Sequence, residues 1–330
     1  MGSPSSGLLH PVRLSSSTIP GNVWLAPMAG YTDAAFRTVC ADFGAALCFA
    51  EMVSADALAR GNARTLEYLQ KSPGERLISF QIFSSDPATA ASAVRLISPL
   101  RPATIDLNCG CSVPKVLKGG CGAALLRDPA LLGSIVAAMR AETDLPVSVK
   151  LRSGWDSGSI SYLSCAEAAV RAGASMLTLH PRTRAQGFGG RAEWDHIRIL
   201  THSSPVPVFG SGDLFSASDC RDMLARTGCD GVMVARGALG NPFIFAEVDA
   251  LLSNQGAAPV VDPPLKLRTA LSHLRRLAAE VGEAKACRDM RKHFVAYTKG
   301  LEGGAVLRQS VVYAETIAEY EEIVGSHLRA

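Results

Sequence analysis

Cys109 and Cys111 stand two residues apart in D-L-N-C-G-C-S-V-P-K, directly after an apolar run and around a glycine. A thiol in such a place can serve as an acid, a nucleophile or a small filler, and the position of Cys111 past the run favours chemistry. A C-x-C pair can also chelate a metal. None of the nine cysteines forms a CxxC pair and no second spaced pair accompanies this one, so no metal is expected. Lys150 closes the apolar run V-S-V-K-L, where a lone ammonium needs an anionic partner. G-S-G-D at 210–213 and A-R-G at 235–237 each lie between an apolar run and a helix-like segment. Glycine lets backbone N–H groups approach an anion closely, a helix start favours negative charge, and Arg236 adds a charge-assisted contact. Ser211, Gly212, Asp213, Ala235 and Arg236 are therefore candidates for holding a phosphate.

Something must bring these residues to one place. Eight short, nearly continuous apolar runs cover residues 23–26, 47–52, 77–82, 104–108, 147–151, 176–180, 206–210 and 231–235, as parallel strands buried on both faces do. Helix signals separate them at 32–43, 86–96, 128–141 and 216–226, opened by Thr, Asp or Ser and in two cases closed by glycine. Eight βα units over some 240 residues predict a (β/α)₈ barrel. The rival, a doubly wound open sheet, more often carries G-x-G-x-x-G after its first strand, and here that turn is A-P-M-A-G-Y-T-D. A barrel presents its chemistry at the C-terminal ends of its strands. Those ends carry Pro27, Met28 and Ala29, then Gln81, Asn108, Lys150 with Arg152, and His180, besides the two glycine turns.

The chain of 330 residues is 48% hydrophobic and 19% charged, which excludes disorder as its main state. No apolar run reaches the ~18–20 residues of a membrane span, and no export signal opens the sequence, so the thiols are expected reduced in a cytoplasmic protein. Residues 1–20 are expected to be a flexible extension, 21–252 the barrel, and 253–264 a linker. Residues 265–330 lack strand signals and predict a small all-helical domain, with helices at 265–281, 283–301 and 306–325. The net charge is +3, yet residues 264–300 hold nine basic and three acidic side chains. On a helix over 283–301, Lys285, Arg288, Arg291, Lys292 and Lys299 fall within one 120° arc, opposite Cys287, Met290, Phe294, Tyr297 and Leu301. Such a one-sided basic stripe suits phosphate contacts with a nucleic acid.

Seven motifs, in order, resemble those of the tRNA-dihydrouridine synthases: A-P-M-A-G-Y-T-D-A-A-F-R, E-M, D-L-N-C-G-C-S-V-P-K-V-L-K-G-G-C-G-A-A-L-L, V-S-V-K-L-R, L-H-P-R-T-R, G-S-G-D and D-G-V-M-V-A-R-G-A-L-G-N-P. R-K-H-F-V-A-Y-T-K-G resembles that family's helical tRNA-binding domain. The resemblance implies FMN over the barrel mouth, with Pro27, Met28 and Ala29 under the ring, Gln81 and Lys150 at its polar edge, His180 beside it, and the two glycine turns on its phosphate. It implies NADPH as reductant, hydride transfer to C6 of a flipped-out tRNA uridine, in the D-loop, and Cys111 as the acid at C5. Asn108, Arg152 and the basic stripe are then expected to meet the tRNA. The chain departs from the family pattern at Cys109, Ser112 and Ser211. A monomer is expected. Two rivals remain at this point: an FMN barrel acting on a small pyrimidine, as dihydroorotate dehydrogenases do, and an RNA-binding barrel without catalysis.

Overall fold

The computed structural model describes residues 7–15, 17–75, 77–253 and 257–329. A hairpin, β1 (Val12–Leu14) and β2 (Ser17–Ile19), opens the described chain. Eight parallel strands follow: β3 (Val23–Leu25), β4 (Cys48–Phe49), β6 (Ile78–Phe83), β7 (Thr104–Cys109), β8 (Val147–Gly154), β9 (Met176–Thr183), β10 (Val208–Gly210) and β11 (Gly231–Val234). The two-residue β5 (Val53–Ser54) extends the line of β4 and pairs with the far end of β6. Each barrel strand pairs with the next, β4 pairs with both β3 and β6, and β11 returns to β3, which closes the ring. The expected barrel is what forms. Its strands are buried on both sides, which is why they appear in the sequence as unbroken apolar runs.

The helices between the strands are set by their caps. Asp33 accepts from Phe36 N to start Ala34–Asp42. Asp86 and Asp128 do the same for Pro87–Ile97 and Pro129–Ala141, each with proline in the first turn. Ser216 and Asp219 form a reciprocal capping box on Ala217–Thr227, which ends at the left-handed Gly228.

Two expectations are corrected. Residues 12–15 and 17–19 are not a flexible extension: Val12, Leu14 and Ile19 are buried in a cluster with Trp24, Met176, Phe209 and Met233. The alternation V-R-L gives that hairpin one apolar face, and the stacked rings of Trp24 and Phe209, 3.7 Å apart, receive it. Residues 1–6, expected to share that extension, lie outside the described residues. The expected helix over 306–325 is two helices, Gly304–Val311 and Ile317–Arg329. Thr316 and Glu319 make a second capping box at the break, Glu319 N donating to Thr316 Oγ1 and Thr316 N to Glu319 Oε2.

Two long helices, Pro263–Val281 and Glu283–Tyr297, complete the C-terminal part. The first begins at Asp262, inside the expected linker, of which residues 254–256 are outside the description. The four helices bury their own core around Leu274, Met290, Phe294 and Tyr320, and Ala35 of the first barrel helix belongs to it. The two parts touch backbone to backbone: a Cβ on Gly240 would stand 2.2 Å from the carbonyl carbon of Ala296. No helix among the described residues is long and apolar enough to cross a membrane.

Candidate active site

A cavity of about 480 Å³ opens at the C-terminal ends of the strands. Pro27, Met28 and Ala29 line it after β3, Gln81 in β6, Asn108 and Cys111 at the end of β7, and Lys150 and Arg152 in β8. His180 of β9, Ser211, Gly212 and Asp213 after β10, and Ala235 and Arg236 after β11 complete the ring. Every barrel residue singled out in the sequence except Cys109 is therefore in one place.

Their side chains have different tasks. An amide chain crosses the floor: Asn108 Nδ2 donates to Gln81 Oε1 at 2.8 Å, and Gln81 Nε2 donates to Asp106 Oδ2 at 2.7 Å. Ser148 Oγ donates to Asp106 Oδ1 at 2.5 Å. Burial pushes Asp106 up to about 6, although these donors and Lys150 pull it down. Lys150 makes no hydrogen bond to any described residue. Burial, then the neighbouring Arg152 charge, lowers it to about 8, with Asp106 opposing. Its ammonium is thus present at neutral pH and still lacks a close anion. His180 is neutral: burial and the charges of Lys150, Arg152 and Arg182 hold it far down, and its Nε2 is buried without a partner.

The Cys111 thiol is half-buried, and burial raises it above the ordinary thiol value. It therefore keeps its proton at neutral pH, as an acid must. Its loop is pinned on several sides. Asn108 Oδ1 accepts from Gly110 N at 3.1 Å and Cys111 N at 2.8 Å, Arg152 Nε donates to Gly110 O at 2.8 Å, and Ala123 N donates to Cys111 O at 3.0 Å. Cys109 is fully buried in the main core, so the C-x-C pair does not converge on an ion.

Four of these residues have side chains already engaged within the protein. Asn108 and Arg152 were expected to meet tRNA. Asn108 is 8% exposed and Arg152 5%, and Asn108 Oδ1 together with Arg152 Nε and Nη1 are engaged by loop backbone. Arg152 Nη1 donates to Thr183 O and Gly187 O, beside its bond to Gly110. Both position the Cys111 loop. Ser211 Oγ donates to Met233 O at 2.9 Å and stitches β10 to β11 instead of facing an anion. The Asp213 carboxylate accepts from Arg182 Nη2 and Ala192 N, each at 2.8 Å, and its other oxygen stands 3.7 Å from Arg236. A carboxylate repels a phosphate, so Asp213 orients cations. The group free to meet an anion there is Arg236, partly exposed, with its guanidinium 4.6 Å over Phe188 and 5.3 Å over Phe215. Gly212 is required beside it: its φ is +111°, and a Cβ would stand 2.8 Å from His180 Nδ1.

The apolar rim was missed. Tyr31, Met52, Phe188 and Phe215 line the mouth, and Phe188 is 59% exposed. The available signal was an aromatic residue set among glycines in Q-G-F-G-G. On the basic helix Glu283–Tyr297, Lys285, Arg288 and Lys292 are exposed, as is Lys299 just beyond it. Arg291 is not free on that face, since its Nε is buried and it lies against Tyr320. Lys285 is paired with Asp289 at 2.7 Å. Lys292 Nζ lies 5.5 Å over the ring of Tyr31, so the basic face reaches the cavity mouth.

Known proteins resemble this chain in sequence and in fold. The family model described as "Dihydrouridine synthase (Dus)" matches residues 24–328. A protein of Treponema pallidum named "Probable tRNA-dihydrouridine synthase" is 42% identical over 96% of both chains. A protein of Mycobacterium tuberculosis with the same name is 39% identical over 96% of this chain and 84% of its own. The "tRNA-dihydrouridine synthase B" of Pasteurella multocida is 33% identical over 91% of this chain and 90% of its own. Among solved structures, histamine dehydrogenase from a Rhizobium species superposes with a TM-score of 0.57 at 13% identity. It covers 82% of this chain, which spans about half of that one, so this likeness concerns the fold alone. With a family match over nearly the whole chain and relatives up to 42% identical, the chain belongs to the dihydrouridine synthase family of flavin-dependent oxidoreductases.

Proposed function

We propose that this chain converts a D-loop uridine of tRNA to dihydrouridine, with FMN as its cofactor and NADPH as reductant. One observation carries the reading: the protonated thiol of Cys111 and the unpartnered ammonium of Lys150 open into the same cavity, whose mouth is reached by Lys292 of the basic helix.

The residues present fit a flavin. Pro27, Met28 and Ala29 offer an apolar seat for a ring, while Lys150 and the orphaned His180 Nε2 offer charge and a polar contact at its edge. Arg236 stands at the lip for a phosphate. Bound there, FMN would supply hydride chemistry at C6 of the uracil. The protein provides the rest. Cys111 gives its proton to C5, and the bonds from Asn108 and Arg152 to its loop keep the thiol in place. The Tyr31, Phe188 and Phe215 rim offers faces on which a base outside its helical stack can rest. Arg288, Lys292 and Lys299 meet the tRNA backbone. A small free pyrimidine as substrate gives no task to the Tyr31–Lys292 contact. The reading places the enzyme in the cytoplasm, acting as a monomer.

The test is mass-spectrometric mapping of dihydrouridine in unmodified tRNA incubated with the protein and NADPH. One modified D-loop position supports the reading, and tRNA-independent reduction of a free pyrimidine with unchanged tRNA overturns it. Cys111→Ala is expected to retain its flavin absorbance and lose about 10²–10⁴ in turnover, the size of a lost general acid.

A further inference from the structure

At the seam between barrel and helical domain three side chains from distant parts of the sequence meet. Asp33 caps the first barrel helix, His273 lies in Pro263–Val281, and His293 lies in Glu283–Tyr297. The two histidines are 0% and 1% exposed, and none of their four ring nitrogens hydrogen-bonds to a described residue. Their Nε2 atoms face the two oxygens of one carboxylate, His273 at 3.8 Å from Oδ1 and His293 at 3.6 Å from Oδ2. The three ligand atoms lie within 4.8 Å of one another.

Those distances exceed an ordinary N–H···O bond of about 2.9 Å. Two ligands each about 2.1 Å from one ion at a tetrahedral angle stand about 3.4 Å apart, close to what is seen. Burying two imidazoles with no partner is costly unless something meets their lone pairs. Their walls are aromatic: Phe36 stacks on His273 and lies tilted against His293, and Tyr31 meets His293 edge-on. Asp33 is held by Phe36 N, which fixes the orientation of its carboxylate. It remains partly exposed, which leaves an entry path and room for a water as fourth ligand.

We propose that Asp33, His273 and His293 form a structural site for a divalent late first-row metal ion, zinc by ligand type, that clamps the helical domain to the barrel. Two neutral imidazoles and one carboxylate suit zinc better than calcium or magnesium, which prefer oxygen. The site is separate from the cavity and takes no part in the redox chemistry. Its consequence is mechanical: it fixes where the basic helix stands relative to the mouth.

The experiment uses the full-length holoprotein, stripped with a chelator and titrated with Zn²⁺ and with Co²⁺. The expected result is one equivalent of either metal per chain. Cobalt should give the visible ligand-field bands of a four-coordinate nitrogen and oxygen site without the intense thiolate charge-transfer band. Zn²⁺ should raise the melting temperature of the stripped protein. Asp33→Asn keeps the helix cap and is expected to lose the bound equivalent and the cobalt spectrum while keeping the flavin absorbance. His293→Gln should do the same, and serves if the first variant fails to fold. Failure of the wild-type protein to bind a stoichiometric ion overturns the proposal and leaves a plain Asp–His–His contact. A thiolate spectrum, or equal uptake by both variants, overturns it as well by placing the ion elsewhere.

Discussion

Lys150 carries the most pH-sensitive charge in the cavity. It titrates at about 8 in the fold against 10.5 for an ordinary lysine. Between those values the unfolded chain holds the extra proton, so the folded state gains stability as pH rises through this window. Below about 8 both states are protonated and the cost of burial is constant. A bound anion at the ring edge favours the ammonium, so flavin affinity is expected to fall as pH rises above about 8. Lys150→Met should abolish both trends, as flavin titration and thermal melts of the cofactor-free protein between pH 7 and about 10 will show. Residue identity at a strand end was legible because position alone puts a side chain at the mouth. What its polar atoms bind was not. Asn108, Arg152, Ser211 and Asp213 all sit where expected, yet each is occupied by backbone or by a counter-charge brought in by another loop. Carbonyls of Gly110, Thr183 and Gly187 become partners only after three loops have folded together.

At the level of elements, the strands were readable because burial on both faces makes them apolar throughout, and the barrel helices because Asp33, Asp86, Asp128 and Ser216 cap them. The break after Val311 was also present in the sequence, as T-I-A-E, but an amphipathic pattern on both sides concealed it. The basic helix keeps its apolar face on the domain core and offers Arg288 and Lys292 to solvent. Arg288→Glu with Lys292→Glu is expected to weaken tRNA binding by tenfold or more, about 1.4 kcal/mol, and to flatten its salt dependence. Flavin content should be unchanged, because neither residue lines the cavity. Gel-shift titration at several salt concentrations, with flavin absorbance on the same samples, checks both.

The whole molecule has three cores: the main barrel core, the helical domain's core, and the cluster under the N-terminal hairpin. The hairpin over the third had only a weak sequence signal. Its strands are three residues long and lie in a stretch rich in serine. Leu14 is fully buried there, away from the cavity, so Leu14→Ala is expected to cost about 2–4 kcal/mol of stability. Urea unfolding should show the loss, while dihydrouridine formation at 25 °C remains normal. The seam of Asp33, His273 and His293 was equally hidden, since its first member lies 240 residues before its second. At the cavity, Lys150, Arg152, Arg182 and Arg236 gather around Asp106 and Asp213. The surplus positive charge matches the roughly −1.5 to −2 of a phosphate monoester. On the proposed reading, in which that monoester is the phosphate of FMN, the chain without its cofactor folds against its own repulsion, and a larger fraction stands open to proteases. On that same reading, how much of this enzyme a cell retains follows how much of the vitamin it can phosphorylate.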